Sequence, residues 1–170
     1  MDKIKKQGFT LVELLIVVAI IAILAAVVFA ALNPLKRFQD SRNARRWSDI
    51  AELMHAIKVY QVDNGGTYLT AIEEKKGDNN VYMITQGLVS TGCASQNSNC
   101  VRQVTGDNHC VNLGGLVSSG YMGKIPISPN GAGIWTSVLT GYTLVASSTG
   151  VITITACEAE GGSPEISVTR

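Results

Sequence analysis

The chain has 170 residues, of which 46% are apolar and only 16% charged, with a net charge of +1. Length favours one ordinary domain with room for an added segment, and the apolar content excludes a disordered tail. The near-balance of charge excludes a generic nucleic-acid binder, which carries a strong basic excess. Two histidines and four cysteines leave little for a multi-ligand metal centre.

The first eight residues, MDKIKKQG, set Lys3, Lys5 and Lys6 against Asp2. From Leu14 to Leu32 no side chain is charged or strongly polar. As a helix this run spans about 28 Å, close to the roughly 30 Å of a bilayer's hydrocarbon core. It is too long for the apolar part of an ordinary secretory signal. Lysines before it predict a cytoplasmic N-terminus and an external C-terminal part. Glu13 lies near the start of the run. An ionisable group in a membrane segment costs free energy and so suggests a function, although near an end it can also reach the interface.

Gly8-Phe9-Thr10-Leu11-Val12-Glu13 followed by an unbroken apolar helix resembles the processing motif of type IV pilins and the related pseudopilins of type II secretion. The strong match covers residues 1 to about 32. The resemblance implies cleavage between Gly8 and Phe9 by a membrane-embedded prepilin peptidase, with N-methylation of the new Phe9 amine. Glu13 would remain and serve assembly, its carboxylate pairing with the Phe9 amine of a neighbouring subunit in apolar surroundings. The implied partners are identical or related pilin subunits, the peptidase and methyltransferase, an inner-membrane assembly platform, and the membrane itself before assembly. Many family members have a proline 22 residues into the mature chain. Here that position is Ala30, and the proline is Pro34, preceded by Asn33. Proline removes a helix hydrogen bond and disfavours α geometry before it. The expectation is a kink near Ala30–Pro34 or, equally, an end of the membrane segment there.

Trp47, Ile50, Leu53, Met54, Ile57 and Tyr60 recur at three- and four-residue spacing, which predicts an amphipathic helix to about Val62 with one apolar stripe. Asp63-Asn64-Gly65-Gly66 supplies the stop. Lys36, Arg37, Arg42, Arg45, Arg46 and Lys58 oppose Asp40, Asp49 and Glu52 in this helix, whereas residues 61–170 hold five basic and eight acidic groups. The basic cluster reads as a solvated face with acidic partners on other subunits; nucleic-acid contact is the weaker alternative. The stretch Asp49 to Tyr68 also resembles the helix end of pilins and of the major pseudopilin, without separating the two.

Residues 67–170 are rich in Gly, Ser, Thr and Asn. Ala71 to Lys76 predicts a helical turn, and Leu113–Ser119 a short helix. Tyr142–Ala146 and Val151–Ala156 alternate and are β-branched, with Ser147–Gly150 as the turn, so they predict a hairpin. Ile166–Thr169 predicts a last strand, and Trp135–Leu139 another. GLVSTG at 87–92 and GLVSSG at 115–120 read as reused turn composition, not a repeat. The fold class is α+β and pilin-like: a long N-terminal helix, its first half transmembrane, packed on a small antiparallel sheet. The expected divisions are a leader at 1–8, a membrane or filament-core helix at 9–33, a stem at 34–64 and a disulfide-bonded head at 65–170.

Cys93, Cys100, Cys110 and Cys157 all follow the membrane segment. An even count outside the cytoplasm predicts two disulfides. The preferred pairing is Cys93–Cys100 with Cys110–Cys157, and the spacing disfavours zinc. Catalytic motifs of hydrolases, nucleotide-binding loops and metalloproteases are missing, so no enzymatic role and no cofactor are expected, and His55 and His109 read as structural. Asp78-Asn79-Asn80 and Asp63-Asn64 lack calcium-loop spacing, so no calcium site is placed. The expected function is that of a prepilin, the structural subunit of a type IV pilus serving adhesion, motility or DNA uptake. Rivals are a type II secretion pseudopilin and a single-span anchored binding domain.

Overall fold

The computed structural model describes residues 8–170 and divides the chain into two units, one ending at Phe38 and one running from Gln39 to Arg170. The leader that precedes Gly8 lies outside the described residues.

In the first unit, Leu11–Leu32 forms helix α1. Every described residue from Gly8 to Ala31 is exposed, including a continuous series of Leu, Ile, Val and Phe. Asn33 is left-handed (φ 37°, ψ 72°) and caps α1, and Pro34 opens α2, Pro34–Asp63. The expected disturbance therefore falls on Asn33. Proline disfavours α geometry at the residue before it, and asparagine is among the few residues that enter the left-handed region readily.

In the second unit, α2 ends where expected. Gly65 and Gly66 take positive φ, and the Gly66 amide donates to the Gln61 carbonyl at 2.8 Å. Ile50, Leu53, Met54 and Ile57 are buried on the sheet, each contributing about 1.5–3 kcal/mol by leaving water. Trp47 does not belong to this stripe and is 45% exposed. The buried positions before Ile50 are Asn43, Arg46 and Asp49, so the inward face of the upper stem is polar. Thr70–Glu73 (α3) and Gly114–Ser118 (α4) match the two predicted turns of helix.

The sheet has five strands: β1 Tyr82–Thr85, β2 Cys110–Asn112, β3 Tyr142–Ala146, β4 Ile152–Ala156 and β5 Ser167–Thr169. Their order is β2-β1-β3-β4-β5. The predicted hairpin is β3–β4, with Tyr142 opposite Ala156, and β5 pairs antiparallel to β4. Two expectations fail. Trp135–Leu139 is not a strand, and the sheet is mixed, because β1 and β2 run parallel with Met83 opposite Cys110. β1 and β2 are only four and three residues long. Their alternation is too short to stand out from the polar loops around them.

Both faces of the sheet are covered. Tyr82, Ile84, Tyr142, Leu144, Ile152 and Ile154 meet the α2 stripe. Met83 faces a second cluster with Val104, Trp135, Cys93, Cys100 and Cys157, supplied by the loops. Two disulfides hold that loop layer, Cys93–Cys110 and Cys100–Cys157. This corrects the expected pairing. The Cys93 amide donates to the Asp107 carbonyl at 3.0 Å, which brings it to the start of β2. The Val101 amide donates to the Cys157 carbonyl at 2.8 Å, which brings Cys100 to the end of β4. Between Cys93 and Cys100 the chain makes a 3-10 turn at Asn97–Asn99 and continues onward instead of closing on itself.

Candidate assembly site

Thr10 is the N-cap of α1, with extended backbone (φ −82°, ψ 153°). Its hydroxyl oxygen accepts from the Glu13 amide at 3.2 Å, and the Glu13 carboxylate accepts from the Thr10 amide at 2.8 Å and from the Thr10 hydroxyl at 3.0 Å. This reciprocal arrangement is a capping box, which satisfies two otherwise orphan donors at a helix start. Its signal is in the sequence as Thr10-Leu11-Val12-Glu13, but the apolar context draws attention to the glutamate's charge instead. Glu13 thus has a local partner within its own chain while staying exposed. Gly8 has open surroundings among the described residues, since a Cβ built there meets nothing within 4 Å. Among the described residues no neighbour requires glycine at this position.

Residues 3–29 match the prokaryotic N-terminal methylation motif. The N-terminal segment is prepilin-type. The chain is also similar to the type II secretion system core protein G of Aeromonas hydrophila, 39% identical over 64 residues, covering 38% of this chain and 43% of that protein. The corresponding protein of Escherichia coli (strain K12) is 40% identical over 60 residues, covering 35% of this chain and 40% of its own. The chain thus spans about two-fifths of the length of the curated relatives it matches. No solved structure gives a significant match. With its apolar helix, long and apolar enough to cross a membrane, the prepilin-type segment indicates a single-pass, membrane-anchored protein.

Lys36, Arg37 and Arg45 are exposed, as expected of a solvated face, but Arg42 and Arg46 find acidic partners inside the chain, which corrects the expectation for those two. Arg46 is fully buried. Its guanidinium donates from Nε to Ser128 Oγ (3.1 Å), from Nη1 to Asn43 Oδ1 (2.9 Å), and from Nη2 to the Pro129 carbonyl (2.9 Å) and Glu158 Oε2 (3.1 Å). Glu160 Oε1 lies 2.7 Å from Nη1. Glu158 is satisfied in turn by the amides of Ala132 and Gly133 and by Trp135 Nε1 at 3.1 Å. Arg42 forms a bidentate pair with Glu160, and Asn43 bonds both backbone groups of that residue. The planar guanidinium, with five donors in a fixed fork, suits such a hub where lysine would not. Arg45 makes only a loose contact with Asp49, 3.9 Å across one helical turn. Glu158 and Glu160 of the head therefore complement Arg42 and Arg46 of the stem within one subunit.

The Arg42 guanidinium bonded to Glu160, reinforced by Arg46, holds the Glu160 carboxyl below its ordinary value of 4.5. A carboxylate with a lowered folded pKa stabilises fully above the unfolded value and loses that contribution as pH falls through the folded one. The melting temperature should accordingly fall as pH drops below about 4.5, and Glu160→Gln should reduce that slope while lowering the melting temperature at pH 7. An unchanged acid slope in the variant, followed by circular dichroism, would rule out this contribution.

The remaining sequence candidates are placed as follows. His55 is exposed on α2, and His109 lies against the Tyr82 ring with centroids 5.0 Å apart. Both oxygens of Asp78 are used, accepting from the Tyr82 hydroxyl and the Asn80 amide. Among the described residues no group of three His, Cys, Asp or Glu could hold a metal ion.

Proposed function

We propose that this chain is a filament-forming subunit of the type IV pilin and pseudopilin class, cut between Gly8 and Phe9, methylated on Phe9, and assembled through α1, with no enzymatic activity of its own. The observation that carries the reading is α1 itself. Behind a prepilin-type motif stands a helix whose described apolar side chains, from Leu11 to Ala31, are all exposed in the isolated chain. Such a surface needs lipid before assembly and other apolar helices after it. The open space around Gly8 supports selection by an enzyme that reads this position, since no described residue crowds it.

Two uses of the filament remain in play, each with its own support. Similarity to the two type II secretion core proteins favours a pseudopilin. A head rich in Ser, Thr, Gly and Asn and cross-linked by two disulfides favours an exposed pilus. The mass of the N-terminal peptide in sheared surface material and in membranes tests both. A methylated Phe9 start in the sheared fraction supports a pilus, and the same peptide confined to membranes supports a pseudopilin. An intact Met1 start in membranes would overturn the filament reading and leave an anchored domain.

Glu13 admits a sharper test because of the capping box. Glu13→Gln keeps the reciprocal cap and removes the charge, whereas Glu13→Ala removes both. If Glu13 pairs with a neighbour's Phe9 amine, both variants are processed but yield filaments at less than about a tenth of the normal amount, the loss expected when a buried charge is left unpaired. Normal yield from Glu13→Gln would reduce the residue to a helix cap.

A further inference from the structure

We propose that the head contains a binding pocket for a small zwitterion, an α-amino acid or dipeptide with an apolar side chain. This does not depend on the filament reading. The pocket is a cavity of about 350 Å³ lined by Arg45, Asp49 and Glu52 of α2, by Gln86 after β1, and by the segment 124–127. That volume lies at the lower end of the range for small-ligand sites, which combine apolar walls with a few convergent polar groups.

The walls divide by chemistry. Asp49 and Glu52 carry carboxylates and are three residues apart, so they share one side of α2. Asp49 is only 8% exposed. One of its oxygens accepts from the Tyr142 hydroxyl at 2.6 Å, and no described residue donates to the other. An ionised carboxylate has about four acceptor sites, and the Asp49 oxygen without a protein donor is reached by solvent, so it is open to a ligand cation. Glu52 has no ion pair among the described residues. These two groups suit an ammonium. Lys124 is likewise exposed and without an ion pair among the described residues, and Arg45 reaches Asp49 only at 3.9 Å. These two suit a carboxylate. Pro126 and Ile127 supply an apolar wall, backed by Ile125, which packs into the core.

The groove of equal volume beside Glu158 and Glu160 makes a useful contrast. It is more open, and its carboxylates are already filled by Arg42, Arg46, Trp135 and backbone amides. The cavity under Asp49 keeps two acids and two bases largely uncommitted, balanced in charge and set against an apolar surface.

The test is equilibrium dialysis of radiolabelled L-leucine against the full chain in detergent micelles. Saturable binding of one leucine per chain is expected. Glu52→Gln and Lys124→Gln should each weaken it at least about tenfold, a loss of about 1.4 kcal/mol, with melting temperatures unchanged because both side chains are exposed. N-acetyl-leucine and leucinamide, each lacking one charge, should compete about tenfold less well than leucine. Absence of saturable binding up to about 10 mM, or equal binding by both variants and wild type, would overturn the proposal. So would occupation of the cavity by a side chain of a second copy, detected as cross-linking from Lys124 between chains with no leucine bound.

Discussion

Arg46→Ala should lower the stability of the head by about 3–5 kcal/mol, the cost of leaving a buried ion without its partner. Arg46 is wholly inaccessible to solvent, and the substitution leaves Glu158, which is buried as well, with neutral N–H donors and no cation. Glu160 keeps Arg42 and suffers less. The loss would appear as a shift of the urea midpoint, followed by tryptophan fluorescence, in which the buried Trp135, whose indole donates to Glu158, reports on the site. Adding Glu158→Gln to Arg46→Ala should recover part of the loss, because a neutral amide costs less to bury than an unpaired carboxylate. An exposed ion pair is worth at most about 1 kcal/mol. A loss that small, or strict additivity in the double variant, would show that the pair does not act as a buried unit.

Removing the Cys100–Cys157 bridge by paired alanine substitutions should cost about 4 kcal/mol, against about 3 for Cys93–Cys110, because the first closes a longer loop. The sequence separations are 57 and 17 residues. Equal melting temperatures for the two double variants would contradict the loop-closure account. The pairing itself is open to direct chemistry. Cleavage after Arg102 and Lys124 without reduction separates Cys93 and Cys100 from Cys110, and both from Cys157. The pairing found here leaves all three peptides joined. A free peptide 77–102 would instead restore the pairing of sequence neighbours.

Parts of this architecture are legible because their cause is local. The apolar run and its prepilin-type motif need no tertiary partner to be recognised, and α1 follows from them. The β3–β4 hairpin declares itself through alternation and a turn, and α2 ends at Asn64-Gly65-Gly66 because glycine enters the left-handed region freely. The processing candidates Gly8 and Phe9 and the carboxylate of Glu13 belong to the same local pattern. The cavity under Asp49 does not. Its walls come from residues 45–52, 86 and 124–127, and no spacing in the chain relates them.

Arg46 illustrates why local reading stops there. It stands in a run of basic residues, where a solvated helix face is the ordinary outcome, and its burial depends on Glu158 more than one hundred residues later. The cysteines obey the same logic, since proximity in sequence favours Cys93–Cys100 and the hydrogen bonds of the loop layer bring other pairs together. Gly-Leu-Val-Ser occurs twice and makes the point without any change of composition. At 115–118 it lies in α4, with Leu116 wholly buried in the core, and at 87–90 it is a loop with Leu88 95% exposed. The hydrophobic membrane helix, the motif before it and the hairpin were determined by the sequence alone, because neighbouring residues suffice to satisfy or expose their backbone and side chains. The buried arginine, the disulfide pairing and the fate of each Gly-Leu-Val-Ser were decided by the tertiary structure, because burial is a property of what packs against a residue from elsewhere in the chain.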